Sequence, residues 1–216
     1  NIERETKLSG KIHEKAVLIL SNYLGRRFAG KTPISLSASL TFEQMYGVIE
    51  GDSATCAELY ALLSALSEAP VRQGIAVTGS MDQNGAVQPI GGVNEKIEGF
   101  YDLCRLRGLD GTQGVLIPRR NLRNLMLKEE VVLAVREGKF RIFEIDRVED
   151  GVEILMGIQA GEIGPDGKYP DGTLYRKAAD RLEQFREAVR EKNDGDRKGK
   201  KGDPGDNETG PQKIPQ

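Results

Sequence analysis

A compact α/β fold with a mixed β-sheet and flanking helices is predicted by three observations. Short apolar runs alternate with segments of helical periodicity, and glycine or proline punctuates most of the changes. An Asn-Gly pair also separates two short strand-like runs, as a hairpin requires. With 216 residues and 38% hydrophobic content, the chain has enough apolar surface for one sizeable core.

The elements follow in order. From about Glu3 to Phe28, the residues Ile12, Ala16, Ile19, Leu20 and Tyr23 recur at helical spacing and predict an N-terminal surface helix. After Pro33, Ile34 to Leu40 alternates apolar and small polar residues, which predicts a half-buried strand. A loop carrying Gly47 and Gly51 leads into a helix over 53–67. Its apolar face is Cys56, Leu59, Leu63 and Leu66, and Pro70 follows its end. Gly74 to Ser80 reads as a buried strand, and the Asn84-Gly85 turn returns Ala86 to Pro89 beside it. Gly91-Gly92 opens a helix to about Leu106 with Val93, Ile97, Phe100 and Cys104 inward. A short strand at Gly114–Pro118, a helix over 128–137, a strand over 140–145 and a helix over 148–156 complete the core.

After Gly157 the composition changes. Residues 161–172 are turn-rich, and 174–192 read as a charged amphipathic helix. Residues 193–216 hold one large apolar side chain, Ile214, and are expected to be a flexible, disordered tail. The expected units are thus a domain over 1–157, a turn-and-helix segment over 158–192 and the tail over 193–216. Truncation between Gly157 and Gly172 is expected to leave the core folded.

Charge excludes some functions. Lys and Arg number 31 against 33 Asp and Glu, with no basic half, so no nucleic-acid partner is predicted. Cys56 and Cys104 read as two buried, reduced thiols, and a cytoplasmic location is expected. One His and two separated Cys make no usual zinc site, and no metal or cofactor is predicted for this domain. No apolar run approaches the ~20 residues that span a bilayer. The chain begins at Asn1 without a leader-like segment and reads as an excised piece of something longer.

Gly25 to Thr32 matches the phosphate-loop pattern G-x-x-x-x-G-K-[ST]. That chemistry needs a strand before the loop and a helix after it. Here a helical pattern precedes the match and a proline follows it, so a nucleotide module built on Lys31 is the weaker alternative. Gly30 and Lys31 read as the cap of a helix end.

The chemistry centres on Glu50-Gly51-Asp52-Ser53-Ala54 and on Lys96, 43 residues beyond Ser53. Ser53 falls at a helix start, where unpaired N–H groups and the helix dipole favour a developing oxyanion. A serine hydroxyl needs a base, and a desolvated lysine near a helix N-terminus has the depressed pKa that a base requires. Asp52 or Ser53 also fits a plain helix cap, and Lys96 a solvated surface lysine. The spacing alone leaves both choices open.

Five blocks in order carry a resemblance. They are Ser39-Leu40-Thr41-Phe42-Glu43-Gln44, Glu50 to Ala54, Pro70-Val71-Arg72, Ala76-Val77-Thr78-Gly79, and Pro89-Ile90-Gly91-Gly92-Val93-Asn94-Glu95-Lys96. Over roughly residues 10 to 157 the chain resembles the proteolytic domain of Lon proteases, in the archaeal-type and Lon-related bacterial branch. The resemblance implies a serine endopeptidase with Ser53 as nucleophile, Lys96 as general base and Thr78 orienting the lysine amine. Glu50, Asp52 and Ala54 are implied supporting residues of the same loop. Glu50 and Asp52 stand where the main bacterial branch has Asp and Pro, and either tunes or blocks the site. Ile49 replaces the lysine that precedes that motif. Thr55 occupies a position where relatives often carry Ser, but the spacing to Lys96 puts the nucleophile at Ser53. The resemblance also implies unfolded protein or peptide substrates, a hexameric ring, and an N-terminal AAA+ module using ATP and Mg, absent here. A different outcome is a scaffold domain whose Ser53 and Lys96 are occluded.

Overall fold

A computed structural model describes residues 11–30, 34, 36–42 and 50–199 of the chain. Helices α1 (Lys11–Phe28), α2 (Thr55–Ser67), α3 (Val93–Arg107), α4 (Glu129–Arg136), α5 (Val148–Met156) and α6 (Leu174–Gly199) surround strands β1 (Ile75–Val77), β4 (Gly114–Pro118) and β5 (Arg141–Ile145). Strands β2 (Ser80–Met81) and β3 (Val87–Gln88) form a separate antiparallel hairpin. Parallel pairing joins β1 to β4 and β4 to β5, so β4 is the central strand. The predicted combination of helices with both kinds of strand pairing is present, with the two kinds in separate ladders.

A central parallel strand is covered on both faces, which is why β4 is apolar throughout. Leu116 enters one cluster with Leu20 and Tyr23 of α1, Leu59 and Leu63 of α2, Val152 and Leu155 of α5, and Leu174 and Tyr175 of α6. Its neighbours Val115 and Ile117 enter a second cluster with Ile97 and Tyr101 of α3, Val131 and Ala134 of α4, and Phe140. The sheet thus separates the helix that begins just after Ser53 from the helix that carries Lys96. Close packing of α5 on α2 depends on Gly151, where a Cβ would overlap the Tyr60 hydroxyl. That hydroxyl donates instead to the Val148 carbonyl at 2.9 Å.

Four expectations change. Of the strand expected over 34–40, the described residues belong to no strand, although Ile34, Leu36 and Ala38 pack partly buried on the core. Their alternation reflects burial of every second side chain rather than a ladder. The strand expected over 74–80 breaks at Thr78-Gly79, where backbone bonds turn towards the Ser53 loop. The helix expected at the surface is buried in part: His13, the single histidine, lies in it 3.5 Å from Glu58 and edge-on to Phe42.

The fourth change concerns the extension. Ala178 and Leu182 pack against Leu66. The Tyr175 hydroxyl lies 2.6 Å from that of Tyr23, and Arg27 both stacks on these two rings and pairs with Glu149. Residues 160–182 therefore contribute to the core, against the expectation that truncation would spare it. Helix α6 runs to Gly199, beyond the predicted end at Lys192, and residues 200–216 lie outside the described residues. Among the described residues, no helix is long and apolar enough to cross a membrane.

Candidate active site

The Ser53 loop is shaped from both ends. Gly51 has φ +93°, a left-handed conformation that costs glycine little. Ala54 caps α2, and the Thr55 N–H and hydroxyl both donate to the Asp52 carbonyl, at 3.1 and 2.6 Å. Thr55 is thereby turned inward and buried, and its hydroxyl is committed to the backbone. The same loop is tied to the chain leaving β1. Gly79 N–H donates to the Ser53 carbonyl at 2.8 Å, and Cys56 N–H donates to the Gly79 carbonyl at 3.1 Å. These two bonds explain the break in the predicted strand: Gly79 pairs with the loop rather than with a neighbouring strand.

Lys96 lies in the first turns of α3, whose N-cap Gly92 has φ +66°. Val93 and Ile97 anchor the helix in the second cluster. Ahead of it, the Asn121 amide clamps Ile90 from both sides, accepting from its N–H and donating to its carbonyl, each at 2.9 Å. Asn121 is buried in a 3₁₀ turn after β4, and no sequence pattern marked it.

Together these supports bring the predicted groups into contact. The Lys96 ammonium donates to Ser53 Oγ at 2.9 Å and to Thr78 Oγ1 at 3.3 Å. The Thr78 hydroxyl donates in turn to the Ser53 carbonyl at 3.4 Å, and its N–H is held by the Leu116 carbonyl at 3.0 Å. Desolvation lowers the Lys96 pKa below the ordinary lysine value, while the Asp52 carboxylate pulls it upward. Lys96 makes no ion pair among the described residues. Asp52 instead accepts from the buried Ser80 hydroxyl at 2.8 Å, a partner that no motif singled out.

Glu50 stands exposed at the start of the loop. The other nucleophilic group nearby is unsuited to attack, because burial pushes the Cys56 thiol up to about 12. His13 contacts Glu58 and Phe42 and takes no part in the site. In the phosphate-loop match, residues 25–28 are the last turn of α1, and Lys31 and Thr32 lie outside the described residues. A helical turn does not offer the ring of free amides that cradles a phosphate.

The arrangement is a hydroxyl hydrogen-bonded to a partly desolvated amine at the start of a helix. It has the parts needed for nucleophilic attack on a carbonyl. Residues 48–157 match the model of the Lon protease (S16) C-terminal proteolytic domain. A protein of Escherichia coli named, provisionally, a Lon protease homolog is 51% identical over 73% of this chain and 27% of its own length. Its counterpart in Haemophilus influenzae is 44% identical over 73% of this chain and 26% of its own length. An archaeal Lon protease of Pyrococcus abyssi is 33% identical over 68% of this chain and 13% of its own length. The chain thus spans about a quarter or less of the length of these relatives.

Proposed function

This chain belongs to the Lon protease family through its C-terminal proteolytic domain, and on that premise we propose that it is a serine endopeptidase domain working through Ser53 and Lys96. The observation that carries the reading is the 2.9 Å hydrogen bond between Lys96 Nζ and Ser53 Oγ. In the reacting state Lys96 is the neutral amine. It takes the Ser53 proton as Oγ bonds to the carbonyl carbon of a peptide, giving a tetrahedral oxyanion. The backbone N–H groups of Ser53 and Ala54 have no acceptor among the described residues and stand at the positive end of α2, suited to that oxyanion. The ammonium then protonates the leaving amine as the peptide C–N bond breaks, leaving an ester on Ser53. Lys96 next deprotonates a water as it attacks the ester, and returns that proton to Ser53 Oγ as the acyl–oxygen bond breaks, releasing the acid and restoring the neutral amine. Thr78 holds the amine towards Ser53, Ala54 shapes the helix start, and Asp52 and Glu50 supply negative charge from the loop.

The whole protein, on this reading, degrades unfolded protein in a hexameric ring, with an AAA+ module supplying ATP-driven translocation. ATP and Mg then act in that module and not at Ser53. The test is covalent labelling with a serine-reactive aryl phosphonate, followed by mass mapping. Adduct is expected on Ser53, abolished by Lys96→Ala and kept in Thr55→Ala. Adduct on Thr55, or none on the folded chain, would sink the reading; the latter would favour an occluded scaffold.

A further inference from the structure

Ser80 opens β2, is buried, and makes one side-chain hydrogen bond, from Oγ to Asp52 Oδ2 at 2.8 Å. Its backbone is fixed from two sides. It stands opposite Gln88 in the β2–β3 ladder, and its carbonyl accepts from the Cys56 thiol at 3.6 Å. The hydroxyl is therefore presented from a rigid support. Asp52 is the residue immediately before Ser53, and its charge is felt at the Lys96 ammonium. A carboxylate and an ammonium on either side of one serine attract each other and can close into an ion pair. Here they do not pair, and the ammonium bonds to Ser53 and Thr78 instead.

We propose that Ser80 is a positioning residue: its hydroxyl holds the Asp52 carboxylate off the Lys96 ammonium and so leaves the lysine to the Ser53 hydroxyl. The inference rests on the reading of Lys96 as the base of Ser53. It also answers what Asp52 does. Anchored, the carboxylate tunes the lysine; released, it captures the lysine and blocks it. The other acidic groups on the same two elements are Glu50 on the loop, and Glu95 and Glu98 on α3. Glu98 is engaged by Lys128, at 3.4 Å from its ammonium and 2.9 Å from its backbone N–H. Asp52 is the charged group that acts on Lys96.

The decisive measurement is the Lys96 titration, followed by the ¹³Cε chemical shift in lysine-labelled chain. Ser80→Ala is expected to raise the Lys96 midpoint by about one unit, a tenfold tighter hold on the proton. Asp52→Asn alone is expected to lower the midpoint, and Asp52→Asn in the Ser80→Ala background should abolish the rise. A midpoint unmoved by Ser80→Ala, or an equal rise when residue 52 is Asn, would overturn the proposal. So would a midpoint unmoved by Asp52→Asn, a loop substitution that leaves the buried Ser80 in place should Ser80→Ala fail to fold. Phosphonate labelling of Ser53 near neutral pH should slow about tenfold in Ser80→Ala, matching the smaller neutral fraction of Lys96. If Ser53 of the unaltered chain takes no label, the nucleophile reading fails, while the titration still decides the role of Ser80.

Discussion

Lys96 is subject to two opposed influences, and their balance sets the pH at which the site works. Desolvation disfavours its charged form, Asp52 favours it, and the net result is a lowered pKa. Only the neutral amine accepts the Ser53 proton. The labelling rate of Ser53 should therefore rise about tenfold per pH unit on the acid side and level off above the Lys96 midpoint. That plateau should begin below the ~10.4 of a free lysine side chain. A rate that is flat from mildly acidic to alkaline pH would exclude a lysine base. The residues of this chemistry were singled out by the motif blocks that carry the family resemblance, since their types and spacing alone left a plain helix cap and a surface lysine open. There is one histidine in the chain, buried against Glu58, and one serine at the mouth of a helix after Gly51. Ser80 was not legible. Its importance comes from a bond to Asp52 across 28 residues, and nothing in a lone serine announces such a partner.

Among elements, the two that carry the site are held by different means. The start of α2 is stitched to Gly79 by backbone bonds, whereas the approach to α3 depends on one buried side chain, Asn121. Truncation to Asn121→Ala would strand the Ile90 N–H and carbonyl without partners. Leaving such groups unsatisfied costs about 1–3 kcal/mol each where they are buried, and Ile90 is only half-buried. A loss of about 1–3 kcal/mol in urea unfolding is expected for the variant. Slower Ser53 labelling is expected with it, since the clamp fixes the chain that leads into α3 just ahead of Lys96. An unchanged unfolding midpoint would show that water replaces the amide. Helices α2 to α5 and strand β4 were predicted within a few residues, because their apolar periodicity coincides with what they bury. Residues 34–40 were misread as a strand from their alternation, and the run over 74–80 proved to be two strands parted at Thr78-Gly79. Alternation reports which side chains face inward, but ladder partners are supplied by distant chain, as the bonds from Thr78 to Leu116 and from Gly79 to Ser53 illustrate.

At the scale of the molecule, the family match ends at residue 157 but the hydrophobic core does not. Leu174, Tyr175 and Ala178 are fully buried, Tyr169 and Leu182 nearly so, and they cover α1 and the back of α2. The charged composition of 158–192 concealed this, because four or five apolar residues on one helical face suffice to dock an otherwise polar helix. Burying each large side chain contributes roughly 1.5–3 kcal/mol, against a total stability of about 5–15 kcal/mol for an ordinary domain. Ending the chain at Gly157 removes several such contributions and leaves Leu66, Tyr23 and Leu59 short of cover. The shortened chain is therefore expected to lose its cooperative thermal transition, followed by circular dichroism, and to lose Ser53 labelling with it. Ending the chain at Gly199 retains every buried contact of α6 and should leave both unchanged. A cooperative melt within a few degrees of the full chain after truncation at Gly157 would mean that α1 and α2 close over the gap unaided. In that case α6 would be an appendage resting on a core complete without it.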